Sequence, residues 1–414
     1  MASFNYTPPA TSTDGHHGHL TPEQSFMLRL FWGRLYEFFD GKALCDQTMP
    51  ISFKGEAAVD SSASDPTAAA SQGWLTFAKP SPAADQLAPR FTGSELYNIF
   101  WKLAMMSHPD RIVLKYLRAR KWVLDESLKM FLNSLKWRIV ERLDELSELS
   151  DVELDAKYAG FIDQMKSGKG YIRGGDALGR PISIINARQH HKADQPAETI
   201  HRYTLYTMEC GRTLLPEGVE TVVVLFDLSD FGLNNMDWGF IRLFVQCFES
   251  YYPETLAQCI IHRAPYVFWG IWKLIEPLLD PVVTKKFVFT SNNEELHKVI
   301  PREHLPITHY DGLDDWNYSY VPPAAGENDL MNDTVLRQAL LKERHGLQAE
   351  FEAATRAWIE SGDDSHWAQR NEIAQRLREQ YSRLAPVTRA TSLYQRWGVL
   401  ANGKVNWNYD VKMQ

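Results

Sequence analysis

The sequence predicts an α/β domain with a mainly parallel sheet, preceded by a helical subdomain and followed by a helical C-terminal extension. Three observations predict it. Short continuous apolar runs at 222–228, 256–261 and 287–289 are separated by helix-length segments, the pattern of strands buried on both faces of a parallel sheet. Ahead of them, residues 95–142 read as a series of helices. Behind them, residues 333–384 are again helical in pattern and heavily charged.

The first helix is expected over 21–39. Thr21 is a good N-cap, Pro22 follows it, and Gln24 completes a capping box. Met27, Leu30, Phe31, Leu35 and Phe38 fall at helical spacing. The stretch 55–90 is rich in Ala, Ser, Pro and Asp, which marks a disordered linker. It separates an N-terminal helical extension (1–54) from a helical subdomain over 91–165. Within that subdomain helices are expected at 95–107, 110–121, 125–142 and 155–165. The period then changes: GYIRGGDALGRPISIINA alternates around a turn at 176–179 and reads as a hairpin. Helices at 198–215, 236–251 and 267–279 alternate with the three apolar runs, completing an α/β unit over 166–322. The extension, 323–414, holds two helical pieces broken around Gly362 and an aromatic but aperiodic tail.

The segment 251–289 is the most telling. It reads as a buried strand, a very apolar helix interrupted by Pro277, and a second buried strand. Ionised groups are expensive in such surroundings unless paired or facing a polar ligand. An apolar wall carrying isolated charges suits a pocket for an amphiphile.

The net charge of −8 argues against a nucleic-acid binder, which needs clustered Lys and Arg. Cys45, Cys210, Cys247 and Cys259 have no CxxC or zinc spacing and read as reduced core thiols of a cytosolic protein. The N-terminus has no signal-peptide or myristoylation pattern, and no run approaches the roughly 18 apolar residues of a membrane span.

Four linked segments, in order, carry a resemblance over about 110–312. KYLRARKWVLDESLKMFLNSLKWR resembles the N-terminal helical subdomain of CRAL-TRIO proteins. GYIRGGDALGRPI is similar to the first hairpin of their lipid-binding domain, and VVVLFDLSDFGLNNMD and YYPETLAQCIIHRAP…LLDPVVTKK continue the likeness. The flanks resemble the longer fungal CSR-type phosphatidylinositol transfer proteins of the Sec-fourteen-like branch.

The resemblance implies a pocket for one lipid molecule, closed by a mobile helix. Here the lid would be 267–279, with Phe268, Ile271, Trp272 and Ile275 lining the lipid. Three residues match the family's inositol-phosphate site. Arg120 would approach the phosphate, while Glu254 and Lys286 would flank the head group; Thr284 stands one place beyond the family's phosphate-binding threonine. The chemistry is apt, since guanidinium and ammonium groups donate to phosphate and a carboxylate accepts ring hydroxyls. Relatives that also carry phosphatidylcholine use a Ser and a Thr where this chain has Val222 and Val224. Two isopropyl groups remove those donors, so the expected second ligand is a sterol, squalene-like or other weakly polar lipid.

No GxSxG, P-loop, HExxH or dinucleotide fingerprint is present, so no catalytic residue is expected. Asp227 and Asp230 at a strand exit read as turn and capping groups. His190 and His191 read as a polar loop, and His16, His17 and His19 as a disordered tail, both without a metal-ligand partner. The functional expectation is a lipid-exchange protein holding one phosphatidylinositol, without catalysis, metal or cofactor. It would be a cytoplasmic monomer touching membranes transiently, with endosomal, endoplasmic reticulum or lipid-droplet surfaces as candidates. The alternative is a lipid-sensing adaptor that regulates a partner or lipid kinase through 333–384.

Overall fold

The computed structural model describes residues 14–42 and 91–407; the linker expected over 55–90, and Cys45, lie outside the described residues. Helix α1 (Pro22–Phe39) opens on the expected box, in which the Gln24 N–H donates to Thr21 Oγ1 and the Thr21 N–H donates to Gln24 Oε1. Thr92 and Glu95 repeat the device at α2 (Gly93–Ala104), and α3 (Pro109–Ala119) and α4 (Leu124–Val140) follow. The single helix expected over 155–165 is instead two, α5 (Asp151–Lys157) and α6 (Phe161–Ser167). A Ser150–Glu153 box starts the first early. Gly160, at φ +82°, then breaks the chain in a conformation that side chains disfavour.

Five strands form the sheet in chain order: β1 (Gly170–Gly175), β2 (Pro181–Asn186), β3 (Val222–Asp227), β4 (Leu256–His262) and β5 (Phe287–Thr290). β1 and β2 pair antiparallel across the expected turn, where the Asp176 carboxylate accepts the N–H groups of Leu178 and Arg180. The other pairs are parallel, joined by α7 (Ala197–Thr213), α8 (Trp238–Gln246) and α9 (Tyr266–Ile275). Right-handed crossovers between strands in sequential order place all three helices on one face. The opposite face is covered by Leu296, Ile300, Leu305 and Tyr310 packed on Ile184, Leu225 and Ile260. On the helix side the register sets Ser183 beside Val224, Val224 beside Cys259, and Cys259 beside Phe287.

The C-terminal extension is a helical hairpin, α10 (Thr334–Ser361) and α11 (Asp364–Thr388), turning at Gly362 with φ +70°. It is part of the main body. Phe351 and Trp358 of α10 share one core with Phe31 and Trp32 of α1, Phe100 of α2 and Phe131 of α4. Inside that core the Arg370 guanidinium is fully buried, 4.5 Å from the Trp358 ring centre and 4.9 Å from that of Phe351, and ion-paired to Asp110. Pairing and stacking offset the cost of desolvating it.

The three described cysteines, Cys210, Cys247 and Cys259, are free and buried. The histidine run is not a disordered tail. His16 and His19 pair across a tight turn, and the Arg118 guanidinium holds that turn through the Gly15 carbonyl at 3.0 Å.

Candidate functional site

The sheet and its three crossover helices do not close on each other. Between them lies a cavity of about 1670 Å³, counting its opening to solvent, concave and largely apolar as ligand sites are. Strand alternation gives it one wall: Ser183 and Ile185 from β2, Val222, Val224 and Phe226 from β3, Ile261 from β4 and Phe287 from β5. Helix α8 supplies Phe240, Ile241, Phe244 and Val245, apolar around much of its circumference. Helix α7 adds Tyr203, Met208 and Arg212.

Helix α9 forms the remaining wall. Phe268, Ile271, Trp272 and Ile275 recur at helical spacing, are buried, and line the cavity. Trp272 packs on Phe287 and Phe289, with ring centres 4.9 and 5.1 Å apart. The outer side of the same helix is also apolar: Tyr266 is 94% exposed and Trp269 42%. Glu276 and Pro277 then break it into a short 3-10 turn (Glu276–Leu278). The helix is thus greasy on both sides and bounded by breakers, unlike α10 and α11, whose outer faces are charged.

The structure brings Glu254 and Lys286 to one edge of the sheet, at the starts of β4 and β5. The Lys286 ammonium donates to the Leu256 carbonyl at 2.7 Å, and its backbone carbonyl accepts the Cys259 N–H. Glu254 sits in the turn entering β4 at φ +55°. Arg120 ends α3, is exposed, and acts electrostatically on Glu249. Burial raises the Glu249 carboxyl, while Arg120 works in the opposite direction; the same carboxylate accepts the Asp280 N–H at 2.9 Å, fastening the chain that leaves the α9 region. None of Arg120, Glu254 and Lys286 lines the apolar cavity itself. Glu254 and Lys286 each adjoin a lining residue, Thr255 and Phe287.

Thr284, one place beyond the family's phosphate-binding threonine, ends a helical turn. Residues Pro281–Thr284 form a helical turn, because the Asp280 carboxylate caps the Val282 N–H at 2.7 Å and Pro281 opens it. The Thr284 hydroxyl donates to the Asp280 carbonyl at 3.2 Å.

Several wall residues were not singled out from sequence. Ser183 places a hydroxyl on the wall beside Val224. Arg212 reaches the cavity while bonded to Glu209, which also takes a bidentate pair from Arg138 and the Tyr252 hydroxyl. His190 lies on the wall too, 3.1 Å from the Asp237 carboxylate, so it has the carboxylate partner that sequence spacing did not reveal. Asp227 bonds the Ser229 N–H and hydroxyl, an ordinary strand-exit turn.

Residues 165–312 match the CRAL/TRIO domain and residues 76–133 the CRAL/TRIO N-terminal domain. A CRAL-TRIO domain-containing protein of Schizosaccharomyces pombe is 34% identical over 77% of this chain and 71% of its own length. The phosphatidylinositol transfer protein CSR1 of Eremothecium gossypii is 35% identical over 76% of this chain and 74% of its own. The phosphatidylinositol transfer protein PDR17 of Saccharomyces cerevisiae is 29% identical over 50% of this chain and 58% of its own. With its helical subdomain, sequential sheet and matching segments in order, the chain belongs to the CRAL-TRIO family.

Proposed function

We propose that this protein is a lipid carrier that takes one phosphatidylinositol molecule into the cavity and exchanges it between membranes. What supports the reading is the closure of an apolar cavity by α9, whose outer side is apolar but for Lys273, beside the starts of β4 and β5, where Glu254 and Lys286 adjoin the lining residues Thr255 and Phe287. Acyl chains fill the cavity and the head group meets the charges. Swinging α9 outward exposes Phe268, Ile271, Trp272 and Ile275 to acyl chains, while Tyr266 and Trp269 already face outward. Each buried CH₂ contributes about 0.8 kcal/mol in bilayer and cavity alike, so exchange is close to balanced, and the head-group contacts decide which lipid is retained.

No chemical step is assigned to the cavity. Val222 and Val224 favour a weakly polar second ligand, sterol- or squalene-like, over phosphatidylcholine. No described helix is long and apolar enough to cross a membrane, and the proposed membrane contact is peripheral, through α9. The test is mass spectrometry of lipid extracted from the purified protein. Phosphatidylinositol at close to one per chain supports the reading; lipid-free protein that also takes none up from vesicles contradicts it.

A further inference from the structure

Away from the cavity, two stretches of chain bring three metal-ligating groups to one point. His17 comes from the N-terminal turn, His108 is the N-cap of α3, and Asp110 lies in the first turn of that helix. One ligand atom from each lies within 4.8 Å of the other two. The imidazole rings of His17 and His108 lie 4.0 Å apart at a 39° tilt, and His17 is stacked on Trp367 at 5.2 Å. Asn371 of α11 stands beside both, its Oδ1 at 3.1 Å from His17 Nε2 and 3.0 Å from His108 Nε2.

The Asp110 carboxylate distinguishes this cluster from an ordinary hydrogen-bonded latch. The residue is fully buried. One oxygen, Oδ1, accepts from the Trp32 indole at 2.7 Å and from Arg370. The other, Oδ2, has no hydrogen-bond partner and lies 3.7 Å from His108 Nδ1. A buried, unsatisfied carboxylate oxygen is costly and calls for an explanation. A carboxylate with one oxygen anchored by fixed donors and the other turned toward two imidazoles is how metal ligands are commonly oriented.

We propose that His17, His108 and Asp110 bind one divalent transition-metal ion of the zinc class, His108 through Nδ1, with the Asn371 amide oxygen orienting that ring from its other nitrogen, Nε2. Bonds of about 2.0–2.2 Å to nitrogen and oxygen set tetrahedral ligand atoms roughly 3.3 Å apart. Ligand atoms of the three residues lie within 4.8 Å of one another, and His108 Nδ1 and Asp110 Oδ2 are 3.7 Å apart, close to that spacing. On binding, His108 Nδ1 exchanges the Asp110 backbone N–H, now 3.1 Å away, for the ion. His17 rides on a turn flanked by Gly15 and Gly18, both at positive φ, and so can close the remaining distance. Two imidazole donors beside one carboxylate suit a transition-metal ion of the zinc class rather than a hard cation that takes oxygen ligands. The ion would fasten the N-terminal turn to α3 and α11 at once.

The test uses the full chain without a polyhistidine tag, stripped with chelator and reloaded with zinc or cobalt(II) alone. One equivalent of zinc, a cobalt d–d absorption band of tetrahedral intensity, and a melting temperature that rises with zinc are expected. His17→Phe keeps the ring stack and removes the ligand; it should stay folded and lose the band and the zinc-dependent rise. Asp110→Asn, if it folds, should do the same, whereas His16→Ala should change neither. Substoichiometric zinc without a band, or an unchanged band in His17→Phe, overturns the proposal.

Discussion

The Lys286 ammonium donates to the Leu256 carbonyl at 2.7 Å, two residues beyond Glu254, so the cation is held at the mouth of β4 before any ligand arrives. Its remaining donors are thereby positioned at low entropic cost, as a head-group site requires. Lys286→Ala removes a hydrogen bond contributing about 1 kcal/mol, a small loss for a chain of this size. Transfer of phosphatidylinositol should nevertheless fall at least tenfold, measured with labelled vesicles, while the melting temperature drops by only a few degrees.

Glu254 allows function to be separated from stability. Its φ of +55° costs a side-chain-bearing residue roughly 1–2 kcal/mol, a strain that Glu254→Gly relieves while adding a comparable backbone entropy loss. The variant should melt within a few degrees of the wild type yet lose phosphatidylinositol retention. Equal retention in both proteins, judged by lipid extraction, removes Glu254 from the head-group assignment.

On the wall, Ser183 and Val224 stand in register. The V222S/V224T double variant adds two hydroxyls to the wall, at roughly 1–3 kcal/mol each where they go unpaired. It should gain phosphatidylcholine transfer relative to the wild type and lose several degrees of melting temperature. Wild-type transfer of phosphatidylcholine at the rate of phosphatidylinositol would refute the assignment of the two valines.

The Arg138–Glu209 pair makes a pH-dependent contribution. Burial alone would raise the Glu209 carboxyl, but Arg138, Arg212 and the Tyr252 hydroxyl hold it well below the usual carboxylate range. A depressed folded value means the stabilisation is complete above the unfolded value, near 4.3, and erodes as pH falls below it. Glu209→Gln should cost about 3–5 kcal/mol near neutrality, because Arg138 is left buried without its partner. It should also flatten the loss of stability between about pH 4 and pH 2, which urea unfolding across that range would show.

Burial likewise raises the thiols, Cys210 to about 12, with Cys247 and Cys259 also pushed up. Native protein treated with a thiol reagent at pH 8 should be unmodified at all three positions by peptide mapping, and modified at each once unfolded.

Much of this was legible because the signals are local. The Thr21–Gln24 box, the Asp176 turn and the apolar strand runs are each contained within a few residues, and the four segments that carry the family likeness place the cavity and α9. What was not legible depends on long-range packing or local competition. Nothing near Phe31 announces that it shares a core with Trp358. The spacing of His17 gives no hint that Asp110 faces it, nor that of His190 that Asp237 does. The turn at Pro281–Thr284 was not anticipated, because the Asp280 cap and Pro281 compete locally with the strand that follows. Arg212 was passed over because its partner Glu209 makes it resemble an ordinary helical ion pair, and only the sheet's position puts it on the cavity wall.

The central claim is that the edge bearing Glu254 and Lys286 selects the lipid that the apolar cavity then carries. The most direct measurement is the rate at which labelled phosphatidylinositol moves between vesicles with wild-type protein and with folded Glu254→Gly and Lys286→Ala variants, alongside uptake of an uncharged apolar lipid by the same proteins. The account predicts that both variants lose phosphatidylinositol transfer and keep apolar uptake. Wild-type rates in both variants, or loss of both lipids together in proteins that remain folded, would contradict it.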